Sequence, residues 1–528
     1  MLLLLTLGAV LMLGVRLHVL DDELPNPDIA GILYNAELIL DGGRPYVDTA
    51  EIKPPGAFVL VAAAIALLGR SLEAVQLAHA AWLALGGLGV WWAARAIHDE
   101  TDPTDQPRVG PRVAAIAAAG YLVSAAMFSY NYSSWMVPAY ALAGGAALRG
   151  LRHGRARDHL LAGAMGLLAL VTIQRAVVLA GVLPLWWWWA RRRGWSGARP
   201  RVLVQWLAGA LLALLPLLLW YGSAGRLGPL LRGLVPLQVG LDYAAASDGT
   251  GLAALPQALL QLLRVFWFPV GLVIIAALAT LGSDRRCWSA WVPGLIWLAA
   301  SIVGAGLGGG RYYLHYLVQY APALALLTAS PSLLRAAARA VGPDAPGRAR
   351  ARVLMGLVGL LSIAQVLEIG LGRGHRYEAQ ARRLTGGLTA AQAAGAHIRE
   401  RTSPDDTVLA WGWTAWRVYY WSQRRAPGRV YKPLGSVTTF NSNTAFDDGR
   451  GPSFRPGPLA DEMIEAFDRA PPAYVVYSPS MVQAFGARPD PLEEFAALRE
   501  RIAAGYVVEA QYGDLRLFRR RGAETHSP

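Results

Sequence analysis

The chain has a single cysteine, Cys287, in 528 residues, so no intrachain disulfide is possible and cysteine usage says nothing about redox compartment. Its nine histidines are scattered without ligand spacing, which leaves a His/Cys metal cluster unsupported. Charge is scarce as well: 16% of residues are charged against 54% apolar, and the mean hydropathy is +0.33. That balance argues against a soluble protein, because repeated apolar runs of about 18 residues or more are membrane helices. Lysine is nearly missing, since only Lys53 and Lys432 contribute to the 49 basic residues. The net charge of +13 does not point to nucleic acid. The arginines cluster between apolar runs, as they do in the cytoplasmic loops of membrane proteins.

Apolar runs predict spans near 2–20, 72–94, 112–130, 133–149, 159–174, 176–190, 202–221, 265–282, 288–307, 312–330 and 352–371. The first run lacks a basic leading segment and an A-x-A-like cleavage site, so it reads as a retained span and not a signal peptide. The run "GAFVLVAAAIALLG" (56–69) reaches only about 21 Å at 1.5 Å per residue, short of the ~30 Å hydrocarbon layer. Loops 149–159, 191–201, 283–287 and 335–352 are Arg-rich, whereas 129–134 and 308–311 are nearly uncharged. The positive-inside rule places the first set in the cytoplasm. With a cytoplasmic N-terminus, that assignment requires 56–69 to stay on the outer face as a re-entrant or surface-lying helix. The expectation is a polytopic α-helical protein of the plasma (inner) membrane with about eleven transmembrane helices. Residues 1–371 form its membrane domain, with outer loops at 21–71 and 222–264.

Residues 372–528 read as an extracytoplasmic α/β domain. It has a helix within 386–406, strands in "TVLAWGW" (407–413) and "PPAYVVYSP" (471–479), and a hairpin over 506–520 around Gly513-Asp514. The stretch 422–458 reads as a long irregular loop, and no internal repeat is present.

Polar residues gather on the outer face in four patches: 21–55, Gln174-Arg175, 222–264 and 308–316. Ionisable groups at membrane depth are costly and by default suggest function. In "NPDIAGILYNAELILDGG" (26–43) the apolar positions recur at helical spacing, predicting an amphipathic helix lying in the interface. Asp28, after Pro27, is placed to cap it, and Gly42-Gly43 ends it. A second helix opens at "KPPG", with Lys53 just before an N-terminus that favours an anion. In "GGGRYYLHYLVQYAPAL" (308–324) the glycines break the preceding span. Arg311 and His315 then fall on one helix face, with Tyr312 and Tyr316 as a parallel pair. Each residue also has a plainer role: Asp28 as a cap, Lys53 as a snorkelling lysine, Arg175, Arg311 and the tyrosines as an interfacial belt. Together, an acid, a lysine and two arginines suit transfer from a phosphorylated lipid. A carboxylate can deprotonate the acceptor while cations hold the departing phosphate.

The stretches "PDIAGILYNAELILDGGRPYVDTAEIKPPGAFVLVAAAIALLG" and "GGRYYLHYLVQYAPAL" resemble the GT-C superfamily of membrane glycosyltransferases. The resemblance is to its glycosyltransferase family 39-like branch, the protein O-mannosyltransferases and lipid A aminoarabinose transferases. It implies a GT-C fold and inverting transfer from a polyprenyl-phosphate sugar to an extracytoplasmic protein, lipid or polysaccharide acceptor, with no cofactor and no metal. By position it makes Asp28 the base and puts Lys53 and Arg311 near the donor phosphate. Gln174 stands where the family often has lysine, so Arg175 takes over that contact. Tyr46 and Asp48 fall in the "P-Y-x-D" element, structural or acceptor-facing, and His315 and Tyr316 in the later motif. The family's Asp-Glu pair is missing, since Ile29 follows Asp28; in another register Asp22 or Glu23 is the base. Arg226, Arg232 and Arg264 are further phosphate candidates. A transporter of lipid-linked sugars, the rival reading, predicts polar groups near mid-membrane and paired repeats. A membrane-anchored scaffold would make the patches at 26–55 and 308–316 dispensable.

Overall fold

Helix α1, Pro27–Leu40, and helix α2, Gly56–Leu68, follow the punctuation of the sequence. Gly42 turns the chain out of α1 at φ +86°, and Pro55 precedes the first residue of α2. They belong to a computed structural model that describes residues 27–98, 109–126, 131–235, 237–247, 254–280, 288–329, 389–444 and 449–522. The predicted spans 2–20 and 352–371, with Asp22 and Glu23, lie outside the described residues.

Most predicted spans are single helices: Leu72–His98, Val109–Ala126, Tyr132–His153, Ala156–Thr172, Leu179–Arg192, Arg201–Gly222, Trp267–Thr280 and Val292–Gly306. Among the described residues, Leu72–His98 and Arg201–Gly222 are each long and apolar enough to cross a membrane. A third candidate is the pair Ala258–Val265 and Trp267–Leu278, bent by 96°. Arg201–Gly222 exposes Leu203, Leu207, Leu211, Leu215 and Leu219, a stripe repeating every four residues that suits acyl chains. Elsewhere in the bundle, helices pack through small residues. A Cβ on Gly145 would fall 1.9 Å from the Gly89 carbonyl oxygen, so Leu72–His98 and Tyr132–His153 touch backbone to backbone.

Three expectations need correction. The span predicted over 312–330 does not begin as a helix. Gly308, Gly309, Gly310 and Tyr312 all have positive φ, a 3₁₀ segment runs Leu314–Tyr320, and the helix is confined to Ala321–Thr328. Arg311 and His315 therefore do not share a helix face, nor do Tyr312 and Tyr316 form a parallel pair. Asp28 is not a cap residue, because the helix already includes Pro27; it sits in the first turn. Finally, α1 is not half-exposed at an interface. Its apolar face, Ile29, Ile32, Leu33 and Ala36, is buried, and so are Tyr34 and Asn35 opposite. The C-terminal domain covers that second face: Tyr34 stacks on Tyr431 at 4.3 Å, and its hydroxyl accepts the Ala426 amide at 3.1 Å.

The described C-terminal residues form a four-stranded sheet of order β1-β2-β4-β3: β1 Val408–Trp411, β2 Tyr474–Tyr477, β3 Tyr506–Tyr512 and β4 Leu515–Arg520. β1 and β2 are parallel, while β2–β4 and β3–β4 are antiparallel. The first two are almost wholly buried, as their unbroken apolar runs require. The chain leaving β1 carries Trp413 and Trp416 toward the membrane domain.

Candidate active site

A cavity of about 730 Å³ opens between the membrane helices and the C-terminal domain, within the size range of small-molecule sites. Asp28, Lys53 and Tyr132 line it from the membrane side, and Trp413, Lys432 and Asn441 from the C-terminal domain. Its wall also includes Asn131, Ser133, Tyr243, Arg264, His315 and Tyr316.

Asp28 projects from the first turn of α1, between the N-terminal end of that helix and the cavity. Burial raises its carboxyl above the ordinary value, and the ammonium groups of Lys53 and Lys432 offset this only in part. A raised carboxylate near cations has the basicity a proton acceptor needs.

Lys53 stands three residues before Gly56, where α2 begins, and its backbone is fixed on both sides. Its amide donates to Glu51 Oε1 at 3.0 Å, and its carbonyl accepts the Tyr46 hydroxyl at 2.7 Å. The ammonium lies 5.5 Å from the Tyr243 ring centre and 6.0 Å from that of Tyr132, a cation–π setting that leaves room for an anion. Tyr46 adopts φ +68°, which the "P-Y-x-D" turn requires. Asp48 is exposed and accepts the Arg44 amide at 2.6 Å, so it closes that turn and does not face the cavity. Gly56 lets α2 start against the end of Ala156–Thr172; a Cβ there would lie 2.6 Å from Thr172 Oγ1.

The arginines stand differently from what the sequence suggested. Arg311 is fully buried behind the cavity wall. Its Nη1 donates to the Tyr313 hydroxyl at 3.2 Å and the Asn443 carbonyl at 3.1 Å, and its Nη2 to the Tyr243 carbonyl at 2.9 Å. It thereby ties the segment after the glycines to the helix Leu237–Ala246 and to the C-terminal domain. Arg175 is also behind the wall. Its Nη2 donates to Ser133 Oγ at 2.5 Å, and its guanidinium lies 3.3 Å from the centre of the Tyr316 ring. Gln174, partly exposed beside it, does not line the cavity. His315 and Tyr316 do, and Tyr316 shares a hydrogen bond of 2.9 Å with Tyr243.

Two further residues of the lining carry positive charge: Arg264, one of the three additional phosphate candidates, and Lys432, whereas Arg226 and Arg232 do not line the cavity. Arg264, exposed in the last turn of Leu255–Val265, sits at the 96° bend and faces the cavity. Lys432 arrives from the loop 422–458, to which the sequence assigns no role. Its one visible signal was rarity, as the only other lysine besides Lys53.

Replacing Arg311 by Met should destabilise the protein by about 2 kcal/mol or more, since it removes three hydrogen bonds donated by a buried guanidinium. A thermal melt in detergent reads this as a lower midpoint, with the loss of protection greatest around 441–443.

A scan against protein-family models gives no match, and neither does a search of curated proteins. Among solved structures, the chain is similar to ArnT of Cupriavidus metallidurans, a GT-C lipid A aminoarabinose transferase. The crystal structure of ArnT bound to undecaprenyl phosphate is 16% identical with a TM-score of 0.62, covering 97% of both chains. Its apo form is 14% identical with a TM-score of 0.60 and the same coverage. Over nearly its whole length, then, this chain has the fold of the GT-C membrane proteins.

Proposed function

We propose that the protein is a glycosyltransferase that moves a sugar from a polyprenyl-phosphate donor to an acceptor hydroxyl or amine. The observation that carries this reading is that a basic carboxylate, Asp28, and a pinned lysine, Lys53, line one cavity open to the C-terminal domain. The undecaprenyl phosphate bound to ArnT supports a polyprenyl-phosphate donor for this fold.

In the reaction, the acceptor oxygen or nitrogen attacks the anomeric carbon as Asp28 takes its proton. The bond from that carbon to the phosphate oxygen breaks on the opposite side, so configuration inverts. The electron pair leaves with polyprenyl phosphate, whose growing charge meets the Lys53 ammonium and the Arg264 guanidinium. Arg175 and Arg311, behind Tyr316 and Tyr243, add positive potential from outside the contact layer. The cavity lies at the outer face in the orientation that the arginine distribution favours.

The test is purified protein in vesicles carrying a labelled polyprenyl-phosphate sugar. Acceptor-dependent release of polyprenyl phosphate is expected. Movement of the intact lipid to the other leaflet without bond cleavage would identify a transporter instead.

The pH dependence carries its own sign. Asp28 works deprotonated and its carboxyl is raised in the fold. The rate should therefore climb with pH through a midpoint above the 3.8 of an ordinary aspartate, and a profile of kcat/KM locates it.

A further inference from the structure

Glu51 joins the chain's two lysines. Its side chain is completely buried and accepts six hydrogen bonds. Oε1 takes the amides of Ile52 at 2.7 Å and Lys53 at 3.0 Å together with Lys432 Nζ at 2.9 Å. Oε2 takes Lys432 Nζ again at 2.8 Å, Asn35 Nδ2 at 3.2 Å and the Tyr431 hydroxyl. One carboxylate thus holds the backbone of Lys53, the middle of α1 and the C-terminal domain at once. Burial alone would push its carboxyl up. The Lys432 ammonium and these hydrogen bonds outweigh that and keep it below the ordinary range, so Glu51 is ionised in the fold.

We propose that Lys432 is a positioning residue for the transfer. Through the Glu51 carboxylate it fixes the Lys53 backbone where the ammonium meets the donor phosphate, and so makes donor binding conditional on docking of the C-terminal domain. This rests on the donor reading of the cavity above and adds to it a role for a residue 381 positions from Glu51. Further contacts hold the same two segments together, among them three hydrogen bonds to the backbone. The Ala50 amide donates to the Arg429 carbonyl at 2.8 Å, Arg429 Nη2 donates to the Tyr46 carbonyl at 3.3 Å, and Arg425 Nη1 donates to the Tyr34 carbonyl at 3.0 Å. Lys432 is the one among these that also lines the cavity and neutralises the buried acid. Without it, a lone carboxylate would be left in the protein, and such a group protonates or moves toward water.

The experiment compares wild type, Lys432→Met and the double variant Glu51→Gln/Lys432→Met. It measures affinity for polyprenyl phosphate and amide hydrogen exchange at Ile52 and Lys53. For Lys432→Met, affinity should fall at least about tenfold and exchange at both amides should quicken by a similar factor, while β2 stays protected. The double variant keeps an amide oxygen for the two backbone donors and removes the stranded charge. It should return affinity to within about threefold of wild type. If Lys432→Met does not fold, Lys432→Gln, which removes the charge and keeps a donor, takes its place in the same comparison. Unchanged affinity in Lys432→Met overturns the proposal. So does a folded double variant that still binds tenfold more weakly, which would make Lys432 a direct phosphate contact. A wild-type protein that fails to bind polyprenyl phosphate overturns the donor reading instead, and the exchange rates then judge the Glu51 bridge alone.

Discussion

Asp28→Asn should lower kcat by about 10³-fold or more, toward the upper part of the 10²–10⁴ range typical of a positioned general base. Amide and carboxylate have nearly the same shape, so the first turn of α1 and the cavity are retained and donor affinity should change little. The loss falls on kcat because only the transition state needs the proton accepted. The same substitution has a second consequence with a definite sign. A carboxyl raised above its unfolded value holds its proton more tightly in the fold than in the unfolded chain. Between the unfolded value and the raised one, stability falls as pH rises, and above the raised value the full cost of burying the charge is felt. An asparagine side chain at this position carries no such charge. At neutral pH the inactive variant should melt no lower than wild type, and any advantage should disappear as the pH falls below the ordinary carboxylate range. A calorimetric series over pH, alongside initial rates, checks both effects.

Lys53→Met should reduce kcat/KM by about 10²–10³, the usual cost of removing one charge-stabilising group at a departing oxygen. Two components are expected. The phosphate is charged before the reaction, so KM for the donor rises. It gains charge as the glycosidic bond breaks, so kcat falls as well. Arginine is not an equivalent replacement: the Lys53 ammonium lies within 6.0 Å of both the Tyr132 and Tyr243 ring centres, a setting fitted to a compact point charge and not to a longer planar fork. Lys53→Arg should recover only part of the loss. Initial rates over a range of donor concentrations separate the two components. An undiminished kcat/KM for Lys53→Met would remove Lys53 from the reaction.

What could be read from the sequence, and what could not, divides along contact range. The Gly42 turn, the start of α2 behind Pro54-Pro55 and the hairpin at Gly513 were legible because each is a local backbone requirement. So were β1 and β2, whose apolar runs are bounded by turn residues. The 308–320 segment was misread because hydropathy sees an apolar stretch and not the run of positive φ angles that keeps residues 308–313 out of the helix. Arg311 lies behind the cavity wall and not in it; its partners Tyr243 and Asn443 are 68 and 132 residues away, and no local pattern announces them. The covering of α1 by Tyr431 and the recruitment of Lys432 have the same origin. An amphipathic helix with Tyr34 and Asn35 on its polar side reads as facing water until the C-terminal domain is laid on it. Asp28 and Lys53, by contrast, stand at helix starts that the sequence marks, and both line the cavity.

The most direct test is a structure of the protein with polyprenyl phosphate bound. The phosphate should lie in the cavity between Asp28 and Lys432, with an oxygen about 3 Å from Lys53 Nζ and the lipid tail passing Arg264 into the bilayer. A phosphate bound elsewhere, with the Lys53 ammonium out of reach and the cavity unfilled, would contradict the assignment of this cavity as the place where the sugar changes hands.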